Sequence, residues 1–317
     1  MQSDQLFLGL DTSNYTTSAA LVDINENIVA DSRKILEVKQ GEKGLRQSDA
    51  LFQHWKNLPV LLEPLLKEYC RFIAGVCAGS RPRPQEGSYM PVFTAGTGIG
   101  TVVAASLNAQ YSEISHQEGH LLSAAHNNDV SEKEDIILTH LSGGTLEFVK
   151  VSNGIHEIVY ATKDISYGQL IDRTGVFLGM PFPAGRYVDE MAVKAYVKGR
   201  KDPVSRVFMD DSGMNLSGLE NSLKSALKNH DKESVCAFLM ERISESFIKA
   251  CDKVSAENNI NKILVCGGVA SSEFLRNYCK DRGYIFGEKA LCSDNAAGEA
   301  IAACRNYKKD KAERVWR

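Results

Sequence analysis

Apolar residues along this chain follow two rhythms. Short runs bounded by turn residues read as strands: Leu6 to Asp11, then Thr17 to Asp23, joined by the hydroxyl-rich turn Thr12-Ser13-Asn14-Tyr15-Thr16. The pattern returns at Ile136 to Leu141, followed by Ser142-Gly143-Gly144-Thr145 and Leu146 to Val151. A third strand, Lys262 to Cys266, runs into Gly267-Gly268 and a helix-like stretch, Ser271 to Cys279. Three strand ends therefore open into Gly- or Ser-rich turns about 125 residues apart, which points to two related halves and not to a short-period solenoid. Elsewhere the spacing is helical. Asp49 to Tyr69 places Leu51, Trp55, Leu58, Leu62, Leu65 and Leu66 three or four apart. Lys232 to Lys253 does the same with Val235, Phe238, Leu239, Ile243, Phe247 and Ile248. Strands alternating with helices predict mixed sheets covered by helices, the α/β class. The Pro- and Gly-rich stretch 79–92 predicts a loop, and the charged tail from Lys308 to Arg317 predicts a surface helix or frayed end.

Composition narrows the class. Of 317 residues, 43% are apolar and 24% charged, enough to bury a large core and too many apolar residues for a disordered chain. The balance of 37 basic and 40 acidic side chains gives −3, which excludes a general polycation but leaves room for a local basic groove. No apolar run reaches the length of about 18 residues that a membrane span needs, and the start lacks a signal-peptide pattern. A cytoplasmic protein without a membrane partner is expected. Eight cysteines without a CxxC pair fit reduced, buried thiols, none of them a ligand or nucleophile.

Two features carry chemistry. Backbone N–H groups of a Gly-rich turn at a strand end can approach phosphate oxygens closely, because no Cβ intervenes. One such turn is equally a plain hairpin connection; three in one chain favour a nucleotide cleft. The second feature is His116-Gln117-Glu118-Gly119-His120. Residues four apart share a helix face, so both imidazoles can reach one ion, although two surface histidines would look the same. The zinc-protease HExxH is not matched: Glu118 sits two residues after His116, turned roughly 200° around the helix from it. A divalent ion needs more ligands, and Asp294, before Asn295-Ala296-Ala297, is the candidate carboxylate; a helix N-cap is the alternative.

In order along the chain stand LGLDTS (8–13), HQEGH (116–120), LSGG (141–144), GQLIDRTGVFLGMPFPAG (168–185), NLSGLENSL (215–223), GGVASSEFLR (267–276) and SDNAAGEA (293–300). Together they resemble the tRNA adenosine threonylcarbamoyltransferase family, also called O-sialoglycoprotein endopeptidases (glycoprotease M22-like), over nearly the whole chain. The resemblance implies a two-lobed actin/hexokinase/Hsp70-like (ASKHA) α/β fold, with duplicated RNase H-like lobes and a nucleotide cleft between them. The lobes would be 1–120 plus 295–317, and 121–294. It implies an iron or zinc ion on His116, His120 and Asp294, and nucleotide contacts from Ser142, Gly143, Gly144, Asp172, Gly185 and Ser272. Asp11 would assist at the acceptor side.

The chain also departs from the family pattern. DTSNYTT replaces an acidic start with Asn14 and Tyr15, Thr145 replaces a His, Gln169 a Glu, Arg173 a Lys, and Ser272 an Asn. The family's short Gly-Pro-Gly loop becomes the 79–92 stretch. A divergent paralogue fits this pattern.

The activity implied is metal-dependent transfer of threonylcarbamoyl from threonylcarbamoyl-adenylate to the N6 amine of the adenine beside the tRNA anticodon, releasing AMP. An adenine nucleotide (ATP, ADP, AMP or the adenylate itself) is the expected ligand. Expected partners are tRNA and the helper proteins of the threonylcarbamoyladenosine pathway, with a homodimer left open. Basic positions for tRNA include Lys194, Lys198, Arg200, Lys201, Arg81 and Arg83. A carbamoyltransferase with another acceptor, and a non-catalytic nucleotide-binding scaffold, stand as alternatives.

Overall fold

The structure is a computed structural model that describes residues 5–38, 45–130, 134–197 and 204–315. Lys198, Arg200 and Lys201 lie outside the described residues. The chain divides into two compact units, Met1–His126 with Asp294–Arg317, and Asn127–Ser293.

The first unit opens with β1 (Leu6–Asp11), β2 (Thr16–Asp23) and β3 (Ile28–Ile35), an antiparallel meander. Helix α1 (Gln47–Tyr69), β4 (Ile73–Arg81), α2 (Phe93–Leu107), β5 (Gln110–Ser115) and α3 (His116–Ala125) follow. The sheet order is β3-β2-β1-β4-β5, with β4 parallel to both β1 and β5. The period-2 alternation of β1 decides what each face carries. Leu6, Leu8 and Leu10 enter the core shared with Leu58, Leu62 and Leu65 of α1. Phe7, Gly9 and Asp11 face the C-terminal helix Ala297–Val315: Phe7 packs its ring on Tyr307 at 5.3 Å between centroids. Gly9 is required there, because a Cβ would overlap the Ala296 carbonyl and the Ala300 amide.

The loop reading over 79–92 needs correction at its start. Gly79, Ser80 and Arg81 continue β4 as a parallel partner of β5, so the loop proper begins at Pro82. Trp55, placed on the apolar stripe of α1 by its spacing, is 53% exposed. The buried seam instead takes His54 and Asn57, whose polar atoms are met by Thr17 Oγ1 at 2.9 and 3.2 Å.

The second unit repeats the plan with β6 (Ile136–Leu141), β7 (Leu146–Ser152) and β8 (Ile155–Ala161). Helices α4 (Tyr167–Phe177) and α5 (Gly185–Ala195), a small hairpin β9–β10 (Phe208–Asp210, Gly213–Asn215), α6 (Ser217–Ala226) and α7 (Lys232–Asn258) come next. Strand β11 (Ile263–Cys266), α8 (Glu273–Tyr278), β12 (Ile285–Phe286) and α9 (Lys289–Cys292) complete it. The order β12-β11-β6-β7-β8, read from its other end as β8-β7-β6-β11-β12, is that of the first sheet, an antiparallel meander of three strands and then two parallel ones. Its core gathers Phe148, Tyr167, Leu239, Ile243, Phe247 and Val265 between α7 and the sheet. The stretch from Ser271 to Cys279 resolves into a 3-10 turn, Gly268–Ser271, and α8.

All eight cysteines are free, seven buried and Cys70 half-buried. No described helix is long and apolar enough to cross a membrane.

Candidate metal centre and nucleotide turns

Strand β5 passes directly into α3, and Ser115 caps the junction. Its Oγ accepts the Glu118 N–H at 3.2 Å, while Glu118 Oε2 accepts the Ser115 N–H at 2.7 Å, a reciprocal capping box. Glu118 is thereby committed to the helix start. The cap fixes His116 as the first helical residue and sets His120 one turn on, with ring centroids 4.4 Å apart.

Asp294 meets both rings: its Oδ1 lies 3.6 Å from His116 Nε2 and 3.3 Å from His120 Nε2. It reaches them because the C-terminal helix packs tightly on α3. A Cβ on Gly298 would overlap the Gly119 carbonyl, so only glycine allows that approach. Capping falls to the neighbour, since Asn295 Oδ1 accepts the Ala297 N–H at 2.9 Å and the Ser123 hydroxyl at 3.0 Å.

Asp11, at the end of β1, is fully buried and stands on the other edge of the His116 ring, its Oδ2 3.3 Å from Nδ1. Ser13 donates a short hydrogen bond to the same oxygen, and Asn14 Nδ2 lies 3.4 Å from His116 Nε2. Burial opposes charge on His116, yet Asp11 and then Asp294 outweigh it and hold its pKa above the ordinary imidazole value. His120 moves the other way, lowered by burial and by the neighbouring His116 against the pull of Asp294. A neutral His120 keeps a lone pair for an ion. Two imidazole nitrogens and a carboxylate oxygen converging in a mostly buried pocket are a fit donor set for iron or zinc.

Glu299, one turn into the C-terminal helix, was not singled out by the sequence pattern. It is fully buried beside Asp11, and a Cβ on Gly119 would overlap its carboxyl group. The available signal is a single charge inside the small-residue run Asn295-Ala-Ala-Gly-Glu-Ala-Ile-Ala-Ala-Cys304.

The six expected nucleotide residues all lie in the second unit. Ser142 Oγ accepts the Gly144 and Thr145 N–H groups at 3.3 and 3.0 Å, shaping the turn after β6. Gly143 and Gly144 are exposed, and a Cβ on either would meet nothing within 4 Å. Ser166 caps α4 and also donates to the Gly143 carbonyl at 3.1 Å, and Gly168 packs on Ser142 and Gly143. Gln169 completes that capping box.

Asp172 of α4 accepts the Ala184 N–H at 2.7 Å, tying α4 to the first residue of α5, Gly185. Burial raises the Asp172 pKa against the pull of the Ala184 and Gly185 amides. Ser272 caps α8 by accepting the Leu275 N–H at 3.1 Å and donates to Asp189 of α5. Asp189 also accepts the Glu273 N–H at 2.8 Å and the Phe274 N–H at 3.2 Å, a clamp that no sequence motif marked.

A family model described as TsaD, tRNA N6-adenosine threonylcarbamoyltransferase, matches residues 24–301. The protein of that name from Thermotoga neapolitana is 28% identical over 317 aligned residues, covering 96% of this chain and 94% of that one. Among solved structures, component A of (R)-2-hydroxyglutaryl-CoA dehydratase from Acidaminococcus fermentans superposes with TM-score 0.58 at 16% identity, covering 95% and 98% of the two chains. Full-length HypF in its phosphate- and nucleotide-bound form gives TM-score 0.61 at 12% identity, covering 96% of this chain and 56% of that one. Those likenesses, with the repeated strand order, show an ASKHA-type α/β fold.

Proposed function

Because this chain belongs to the tRNA N6-adenosine threonylcarbamoyltransferase family, we propose that it moves a threonylcarbamoyl group from threonylcarbamoyl-adenylate to the N6 amine of the adenine beside a tRNA anticodon. AMP is the leaving group. The observation that carries the reading is the convergence of His116, His120 and Asp294, with Asp294 Oδ1 within 3.6 Å of a nitrogen of each ring.

The donor is a mixed anhydride whose carbonyl is already activated, so no side chain has to act as a covalent nucleophile. The protein must orient the donor, exclude water and stabilise charge that develops on carbonyl and phosphate oxygens. His116, His120 and Asp294 would hold an iron or zinc ion. Bound there, it supplies Lewis-acid polarisation of a donor oxygen.

The backbone N–H groups of Gly143 and Gly144 and the N-terminus of α5 at Gly185 receive phosphate oxygens. Asp172 and Ser272 accept hydroxyl or amine hydrogens of the nucleoside. Asp11 acts as a positioning residue: hydrogen-bonded to the Nδ1 side of His116, it turns Nε2 towards Asp294. It is fully buried beside His116, and assistance at the acceptor side stands beside this role as a second reading.

The reaction belongs in the cytoplasm with tRNA, with helper proteins supplying the adenylate. Lys194, exposed on α5, and the half-buried Arg81 and Arg83 are the described basic positions for phosphate contacts.

The test is transfer from labelled threonylcarbamoyl-adenylate to bulk tRNA by the parent and by a His116→Ala/His120→Ala variant. Labelled tRNA with the parent, and loss of both label and bound metal in the variant, is expected. Adenylate binding with no labelled tRNA, even with helper proteins present, points to another acceptor.

A further inference from the structure

Behind the two histidines, the first unit buries a second pair of acids. Asp11 and Glu299 are both fully buried, and Asp11 Oδ1 and both oxygens of Glu299 have no hydrogen-bond partner. The charged groups facing Glu299 are themselves acidic: Asp11, Asp294 and Glu118. Anions taken out of water require a counter-charge, and these receive none from a described Lys or Arg.

The space is built, not accidental. A Cβ on Gly79 would sit 2.8 Å from Asp11 Oδ1 and 3.4 Å from Glu299 Oε1, and one on Gly119 would overlap Glu299 itself. Two glycines therefore make the cradle in which these carboxyls meet. One ligand atom each from Asp11, His116 and Glu299 lie within 4.8 Å of one another. Two ligands of a tetrahedral zinc ion at ~2.1 Å each lie about 3.4 Å apart, so closing on an ion would draw the widest pair together by up to about 1.4 Å, within the reach of side-chain rotation.

We propose that Asp11, His116 and Glu299 form a second divalent-cation site, next to the one on His116, His120 and Asp294. The two nitrogens of His116 face different acids, Nδ1 towards Asp11 at 3.3 Å and Nε2 towards Asp294 at 3.6 Å. An ion at the new site takes the Nδ1 lone pair in place of its proton, which is released to solvent. With both sites filled the ring is a bridging imidazolate. One nitrogen and two carboxylates suit zinc, iron or manganese. This site goes beyond the transfer reaction and does not depend on it.

The test uses the full chain, stripped with a chelator, dialysed against Zn2+ and assayed for zinc by elemental analysis. Two zinc ions per chain are expected in the parent, one in Glu299→Gln, one in His120→Ala, and none in the double variant. Zinc content unchanged by Glu299→Gln, or a parent that binds none, overturns the site. A single ion lost in His120→Ala and kept in Glu299→Gln overturns it while leaving the first centre standing; the converse loss does the reverse.

Melting of the metal-free proteins separates ligation from folding. Exchanging this unpartnered buried carboxyl for an amide of the same shape leaves the Glu299→Gln midpoint equal to or above the parent's, and the rise on adding Zn2+ shrinks. A lower metal-free midpoint with zinc lost from both sites marks a structural residue and overturns the assignment.

Discussion

Asp11 and His116, distant in sequence, meet with Oδ2 3.3 Å from Nδ1, so that the first strand of the chain holds the first residue of α3 in one orientation. A carboxylate on one ring nitrogen fixes the tautomer and leaves the other nitrogen for an ion. Asp11→Asn replaces that acceptor with an amide of either polarity. In a Glu299→Gln background, where only the His116–His120–Asp294 set is read, metal affinity should fall about 10–100-fold. Competition with a chelating dye measures it; an unchanged affinity removes Asp11 from the centre.

Gly298 governs whether Asp294 reaches the histidines at all. A Cβ there meets the carbonyl of Gly119, which is backbone and cannot swing away. Gly298→Ala should cost about 1–3 kcal/mol by overpacking and lower the metal content. Gly218→Ala, where a Cβ meets nothing within 4 Å on helix α6, is the control and should be neutral or stabilising. Thermal unfolding with elemental analysis reads both.

Asp172 separates charge from structure in the nucleotide turns. Its Oδ1 holds the Ala184 N–H at 2.7 Å, a contact that Asp172→Asn retains while losing the charge. Asp172→Ala loses both. A charge-assisted hydrogen bond to the nucleoside is worth about 1.5–3 kcal/mol, so the alanine variant should bind adenine nucleotide about 10–100-fold more weakly. The asparagine variant should fall between it and the parent in a calorimetric titration.

Asp164 gives the second unit an acid-sensitive tie. Burial alone would raise its pKa, but the N–H groups of Leu216 and Ser217 at the start of α6 outweigh burial and hold it at about 2, against 3.8 for the free side chain. The folded value is depressed, so its contribution is complete above the unfolded pKa and is lost as pH falls from about 4 towards 2. Asp164→Ala should be less stable than the parent at pH 7 by about 1 kcal/mol, with the difference closing below pH 3. Unfolding midpoints across pH 2–7 check it, and a constant difference would contradict it.

The sequence by itself determined the local elements, because their causes are local. Short apolar runs bounded by turn residues made β1, β6 and β11; three- and four-residue spacing made α1 and α7; and the four-residue gap put His116 and His120 on one helix face. Glycines after strand ends marked the turn that Ser142 closes. Motif resemblance then pointed to Asp294, and the structure brings it to both rings.

What only tertiary structure decided were the partners of buried charge. Glu299 reads as one more residue of a helix start until Gly9 and Gly298 let that helix lie on β1 and α3, which carries its carboxyl against Asp11. Asp189 likewise becomes a clamp only when α5 meets the start of α8. Trp55 ended outside because His54 and Asn57 found Thr17 across the sheet. Periodicity reports which face of an element is apolar. It carries no information on which distant atom satisfies a polar group, since that depends on how closely two backbones approach.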